Sequence, residues 1–268
     1  MPRVTARLPA ALLIAALPAP HAAAQAAGYE AASIKRSTGE ARRRGIEFLP
    51  GGRFRSMAMP LLPVLGIAYN IPYGTADAVR LRLRNLPDWM ATDLYDVEAT
   101  AQKSAHPPSI RRMLQAVLAD RLQLRIHRQH EEMPVYEMTV AKHGPLLEKS
   151  KTAPADCTEN PPVAGPSNAG PACHQFQGGV GRGLLANAVD MADLAQYVSN
   201  WSDLPILDRT GLGGLYALKT EGWATAYNDD PTRLTLEEIF DRLGLKLVRA
   251  RAPIEILTID HIERPSAN

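Results

Sequence analysis

The chain has 268 residues, 30 Lys+Arg against 28 Asp+Glu for a formal charge of +2, 46% apolar residues and two cysteines. That is enough apolar material for one large domain or two small ones, and too much for a disordered chain. The near balance of charge excludes the basic footprint of a nucleic-acid binder.

At the N-terminus, Arg3 and Arg7 precede an apolar run from Leu8 to Leu17, followed by small residues. Residues 1–26 read as a signal peptide, cut after Ala24 or Ala26. The run is far shorter than the roughly 20 residues that cross a bilayer, and no later segment is apolar enough. Without Arg3 and Arg7 the mature chain carries 28 basic and 28 acidic residues. An exported protein, periplasmic or extracellular, with no transmembrane segment after cleavage, is expected.

In chain order, "GRFRSM" (52–57) reads as a strand and "MPLLPVLGIAY" (59–69) as a helix. "VRLRLRN" (79–85) alternates as a strand would, placing Arg80, Arg82 and Arg84 on one face, where they could hold an anionic glycan, a lipid headgroup or a partner. Trp89 in "NLPDWM" is a core plug or a contact residue. "MLQAVLADRLQLRIHR" (113–128) reads as an amphipathic helix running into a strand, and "PVYEMTV" (134–140) as a second strand that proline introduces. "HRQHEE" (127–132) between them is expected to be a solvated hairpin tip rather than a metal site, because residues three apart on a strand face opposite ways.

Residues 151–183 are rich in Pro, Gly, Asn and Ser and read as a linker. They contain both cysteines, Cys157 and Cys173, which in an oxidising compartment are expected to pair. A metal reading of Cys157, Cys173 and His174 lacks a fourth ligand and matches no zinc spacing. "GLLANAV" (183–189) is a strand and "MADLAQYVSNW" (191–201) a helix, with Asp190 at its N-cap and Asp193 in its first turn. In "LPILDRTGLGGLYALKTEG" (204–222), Gly211, Gly213 and Gly214 lead into an alternating segment. They therefore suit a strand-to-strand turn better than a phosphate cradle, which opens a helix. Asp208 and Arg209 pair with each other or pin that turn.

"LTLEEIFDRLGLKLVR" (234–249) repeats the pattern of 113–128 at a constant offset, matching Asp120 with Asp241, Arg121 with Arg242 and Arg128 with Arg249. "PIEILTI" (253–259) then answers "PVYEMTV", and 59–69 answers 191–201 more weakly. The expected fold class is α+β: two related βαββαβ-type modules, each a small sheet covered by helices. The expected organisation is a signal peptide at 1–26, a first module at 27–150, a disulfide-pinned linker at 151–183 and a second module at 184–268. In "IDHIERP" (259–265), Asp260 and His261 face opposite ways unless a bulge intervenes, whereas His261 and Glu263 share a face. This makes His261 and Glu263 the candidates for acid–base chemistry.

Each half resembles the short secretin and TonB N-terminal module of the bacterial envelope. Nearly the whole mature length is similar to a family of exported proteins, expanded in soil bacteria and especially acidobacteria, whose shared domain has no known function. The residues that carry this are "YEAASIKRS" (29–37), "GGRF" (51–54), "LADRLQLRIHR" (118–128), "PVYEMTVAKHGP" (134–145), "LDRTGLGGLY" (207–216) and 243–268. Some members occur beside membrane metallopeptidases, which implies a signalling context. The family has Thr-Arg-Glu where this chain has His130-Glu131-Glu132, so His130 and Glu131 draw no support from the resemblance.

No Gly-x-Ser-x-Gly, Ser-x-x-Lys or Walker sequence occurs, which removes the common hydrolase routes. The expectation is a non-enzymatic binding or assembly module of the envelope, without cofactor or metal, whose partner is an envelope protein or a glycan or lipid ligand. The alternatives are a secreted hydrolase using His261 and Glu263, and a sensor domain that works with a membrane metallopeptidase.

Overall fold

The computed structural model describes residues 29–38, 44–49, 51–101, 110–154, 157, 173–224 and 232–266. The leader read at 1–26 lies outside them. The described residues form six helices and three four-stranded sheets, a mixed α+β fold.

The first sheet has the order β1-β5-β3-β2, all antiparallel, from β1 (Tyr29–Arg36), β2 (Gly45–Leu49), β3 (Arg53–Met59) and β5 (Tyr95–Ala101). Strict alternation puts Phe54, Ser56, Ala58, Tyr95, Val97 and Ala99 on the buried face. Helices α1 (Leu62–Tyr69) and α4 (Ile110–Arg121) contribute Val64, Leu65, Ala68, Met113, Leu114, Val117 and Leu118 to the same core. Proline in its first turn suits the start of α1, and Asn70 ends it in the left-handed conformation (φ 55°).

The third sheet has the order β7-β11-β9-β8, from β7 (Glu148–Lys149), β8 (Gln177–Gly179), β9 (Gly183–Val189) and β11 (Tyr216–Lys219). Helices α5 (Met191–Val198) and α6 (Leu236–Arg242) share its core. Both begin with capping boxes, Asp190 with Asp193 and Thr235 with Glu238, each satisfying amides that the first helical turn leaves without partners. The two sides touch where the Asn200 Oδ1 accepts from the Tyr73 and Gly74 amides at 2.8 and 3.1 Å.

Between them runs the second sheet, β10-β6-β12-β4. Its centre is an antiparallel ribbon of two long strands, β6 (Arg125–Val140) and β12 (Leu245–His261), flanked by short parallel strands β4 (Leu83–Arg84) and β10 (Ile206–Asp208). Each strand serves both cores: Leu257 and Ile259 of β12 are buried in the first, Tyr136 and Met138 of β6 in the second.

Two expectations are corrected here. Segments 125–140 and 245–261 are not hairpins: each is one continuous strand, and "HRQHEE" lies within β6 rather than at a tip. Pro134 and Pro253 are tolerated mid-strand because their nitrogens face away from the ribbon partner. The Tyr136 amide, two residues after Pro134, bonds Pro205 O outside the ribbon. The Glu255 carbonyl, two after Pro253, likewise accepts from Arg82. Positions two apart share a direction, so neither proline removes a ladder bond.

Second, Arg80 and Arg82 lie not on a strand but in helix α2 (Ala76–Arg82), with only Leu83 and Arg84 extended. The Thr75 hydroxyl accepts from the Ala78 amide, and Asp77 stands in the first turn, so a capped helix begins upstream of the Arg/Leu alternation and runs through it. Helix α3 (Trp89–Thr92) is a single turn.

Candidate binding surface

The predicted arginine face does not exist. Arg80 Nη1 bonds Asp77 at 3.3 Å within α2, and Arg84 Nη2 bonds Glu131 at 3.1 Å. Arg82 is largely buried, its Nε donating to Glu255 O at 2.7 Å, and burial lowers its affinity for the proton against the opposing attraction of Glu255. Arg82 thus ties the end of α2 to β12, while Arg84 reaches over to β6. Trp89 packs edge-to-face on Tyr95 at 6.1 Å with the Arg264 guanidinium over its ring at 5.2 Å. Arg264 also bonds Asp93, so Trp89 and Asp93 tether the chain after β12.

Asp208 and Arg209 do not pair with each other. Asp208 Oδ1 accepts from the Thr210 amide at 2.9 Å and its hydroxyl at 2.8 Å, forming an Asx turn, while Arg209 reaches Glu137 at 3.5 Å. Gly211 and Gly214 adopt positive φ (68° and 86°). Lys149 Nζ bonds Gly213 O at 2.8 Å, closing the loop. The loop joins a strand of one sheet to a strand of another and opens no helix.

His261 and Glu263 share one face of the chain end. His261 Nε2 lies 2.9 Å from Glu263 Oε1. The bulge that would let Asp260 approach His261 is present between Ile259 and His261, but Asp260 turns to His127 Nδ1 at 2.7 Å instead. Two exposed histidine–carboxylate pairs result, and neither imidazole bonds a Ser, Thr or Cys side chain among the described residues. A side-chain nucleophile activated by histidine needs such a contact.

Cys157 and Cys173 form a disulfide. Beyond it His174, Asp190 and Asp193 place one ligand atom each within 4.8 Å of one another. This cluster is already engaged: Asp190 Oδ1 accepts from the Asp193 amide at 2.7 Å, and Asp193 Oδ2 accepts from the Asp190 amide at 3.0 Å and meets His174 Nδ1 at 2.6 Å. A helix N-terminus also disfavours a cation. Burial raises the Asp193 carboxyl above its ordinary value, outweighing those hydrogen bonds. The cluster caps α5 and pins the residue after the disulfide.

A groove of about 320 Å³ lies on the open face of the first sheet. Two cross-strand rows line it. Ser33, Glu98, Arg55 and Glu47 stand in register across β1, β5, β3 and β2, and Ala31, Thr100, Arg53 and Leu49 form the next row. The groove exists because Ala31 and Ser33 are short while the arginines of β3 are long. Arg55 lies 3.0 Å from Glu98 and 4.0 Å from Glu47, all half-exposed, so its guanidinium is oriented yet accessible. Sequence reading saw the strand but passed over its outer face: the alternation of "RFRSM" already separates Arg53 and Arg55 from buried Phe54 and Ser56.

No helix among the described residues is long and apolar enough to cross a membrane. No curated protein and no solved structure matches the chain. The model of one family, described as Protein of unknown function (DUF3738), matches residues 64–262, most of the length, and the chain belongs to that family.

Proposed function

We propose that this protein is an exported, non-enzymatic binding module of the bacterial envelope. The observation that carries the reading is the groove over Ser33, Thr100, Arg53, Arg55 and Glu98. It offers charges of both signs, two hydroxyls and the small apolar surfaces of Ala31 and Leu49. That set complements a hydroxyl-rich or zwitterionic chain, such as an envelope glycan or a short peptide, through charge-assisted and neutral hydrogen bonds. Export is supported by the leader-like start and by the disulfide, a bond that persists in oxidising compartments.

The scaffold for this role is a duplication of one α+β unit, of the kind the secretin and TonB modules suggest. The orders β1-β5-β3-β2 and β7-β11-β9-β8 run alike from edge to edge, and β4 and β10 each lie parallel to the long strand of the other half. Superposition of 45–140 on 177–261 in a crystal structure tests this. Unrelated chain paths would reject the duplication.

The binding reading is tested by a thermal-shift screen of the oxidised mature protein against glycans, peptidoglycan fragments, peptides, lipids and divalent metals. A ligand at 100 times its Kd stabilises by about 2.7 kcal/mol, a visible shift. A hit abolished by Arg55→Ala and by the groove-filling Ser33→Trp supports the reading. A hit untouched by both places binding elsewhere and overturns the groove assignment.

A further inference from the structure

The ribbon leaves two long strand edges only partly covered. Strand β10 pairs with β6 over residues 136–138, and β4 pairs with β12 over 257–258. Among the described residues, no strand pairs with the outer edge of β6 over 126–134. Its even-numbered residues present that edge, since Tyr136 and Met138 direct their backbone groups to Pro205 and Arg209, outside the ribbon. Ile126, Arg128, His130 and Glu132 therefore offer outward N–H groups, and the side chains of Arg128, His130 and Glu132 are exposed. A long, exposed, unpaired edge is a template for another strand.

We propose that the β6 edge pairs antiparallel with the β6 edge of a second copy of this chain, across a twofold axis at His130. In this register His130 faces its own counterpart, Arg128 faces Glu132 and Glu132 faces Arg128. Opposite charges directly across an antiparallel pair are favourable, and the symmetry supplies the pair twice. On the other face of the same register Gln129 stands opposite Glu131. Pro134 has no N–H to donate and ends the added ladder, and because the twofold pairing uses the same edge of both copies the junction closes as a dimer.

The occupant is a second β6 because the sequence of this edge is self-complementary and that of the other is not. The open stretch of β12 carries Arg249 and Arg251 with no acid beside them, and antiparallel self-pairing about Ala250 sets arginine opposite arginine; their side chains now reach back across the ribbon to Tyr136 Oη and Glu132 O. Arg128 has the reach required, since its guanidinium now lies 3.1 Å from Glu255 across the ribbon with half its side chain exposed. The Glu132 carbonyl accepts from Arg251 at 2.9 Å, and its second lone pair is available to the partner strand.

The test is sedimentation velocity over a concentration series with the oxidised full mature chain, on wild type, Arg128→Glu, Glu132→Arg and the double exchange. Each single variant puts like charges opposite one another and is expected to raise the dimer Kd at least tenfold; the double variant restores it. His130→Pro removes only an outward N–H, as Pro134 already does, and is expected to give monomer with unchanged circular dichroism. In His130→Cys the two Cα atoms stand about 5.5 Å apart in this register, within disulfide reach, so oxidation crosslinks the dimer while Arg125→Cys does not. A wild-type monomer at all concentrations, or a dimer indifferent to both charge variants and to His130→Pro, overturns the proposal.

Discussion

At the scale of single residues, the reasons for being where they are differ from what their neighbours suggest. Pro134 and Pro253 looked like strand starts because proline breaks a ladder in which its nitrogen points inward. Nothing in their local sequence states that the nitrogen points to an open edge, which depends on register with a strand more than a hundred residues away. Asp208 is the opposite case: Asp followed two residues on by Thr, before glycines, carries its turn chemistry in the sequence itself. Asp208→Ala removes the acceptor for both Thr210 groups and is expected to cost about 1 kcal/mol in urea unfolding, with Asp208→Asn closer to wild type. His174 was legible only as a possible metal ligand. Its actual partner, Asp193, lies beyond a segment whose path composition does not set.

At the scale of elements, capping was legible and alternation was treacherous. Asp190 with Asp193 announced α5, and the capping box is present. Asp190→Ala is expected to lower stability by about 1 kcal/mol, checked by thermal unfolding. Asp193 adds a pH dependence whose sign follows from burial. Its carboxyl holds the proton more tightly in the folded chain than in the unfolded one, where the ordinary value is 3.8. This contribution to stability is therefore complete below about pH 3.8 and is lost as pH rises through the higher folded value. Asp193→Asn keeps an oxygen for the Asp190 amide but cannot ionise. The stability difference between wild type and this variant is expected to shift against wild type as pH rises from 3 towards 7, read by chemical denaturation at each pH. A difference constant with pH would reject this account of Asp193. The six residues from Val79 to Arg84, by contrast, alternate apolar and charged, yet the Thr75 cap upstream decides for helix. A two-residue period over so short a stretch cannot outweigh a helix start.

At the scale of the molecule, the spacing of apolar residues carried further than any motif. The helix and strand pattern of 113–128 and 234–249 located α4, α6, β6 and β12, because the apolar spacing that buries Met113, Val117, Ile239 and Phe240 is written locally. That β6 and β12 pair with each other, and that each serves two cores, was not legible, since long-range pairing leaves no local periodicity. The groove was half legible: its arginines alternate in plain view, but the small residues that open space beside them come from β1. The disulfide closes a loop of 16 residues' separation that ends at Cys173, buried against Ala188 and Leu215. Its reduction is expected to lower stability by about 3 kcal/mol in the chain-entropy account, seen as a fall in urea midpoint with dithiothreitol. A Cys157→Ser, Cys173→Ser chain as stable as the oxidised protein would refute that.

The claim at the centre of this account is that the protein binds and does not turn over. The most direct measurement is mass spectrometry of the glycan and peptide panel after incubation with the oxidised mature protein, wild type beside Arg55→Ala and His261→Ala. The account predicts that each compound that stabilises the wild type is recovered unchanged, and that Arg55→Ala alone loses the stabilisation. A product formed by wild type and absent with His261→Ala would contradict it and place chemistry at the His261–Glu263 pair.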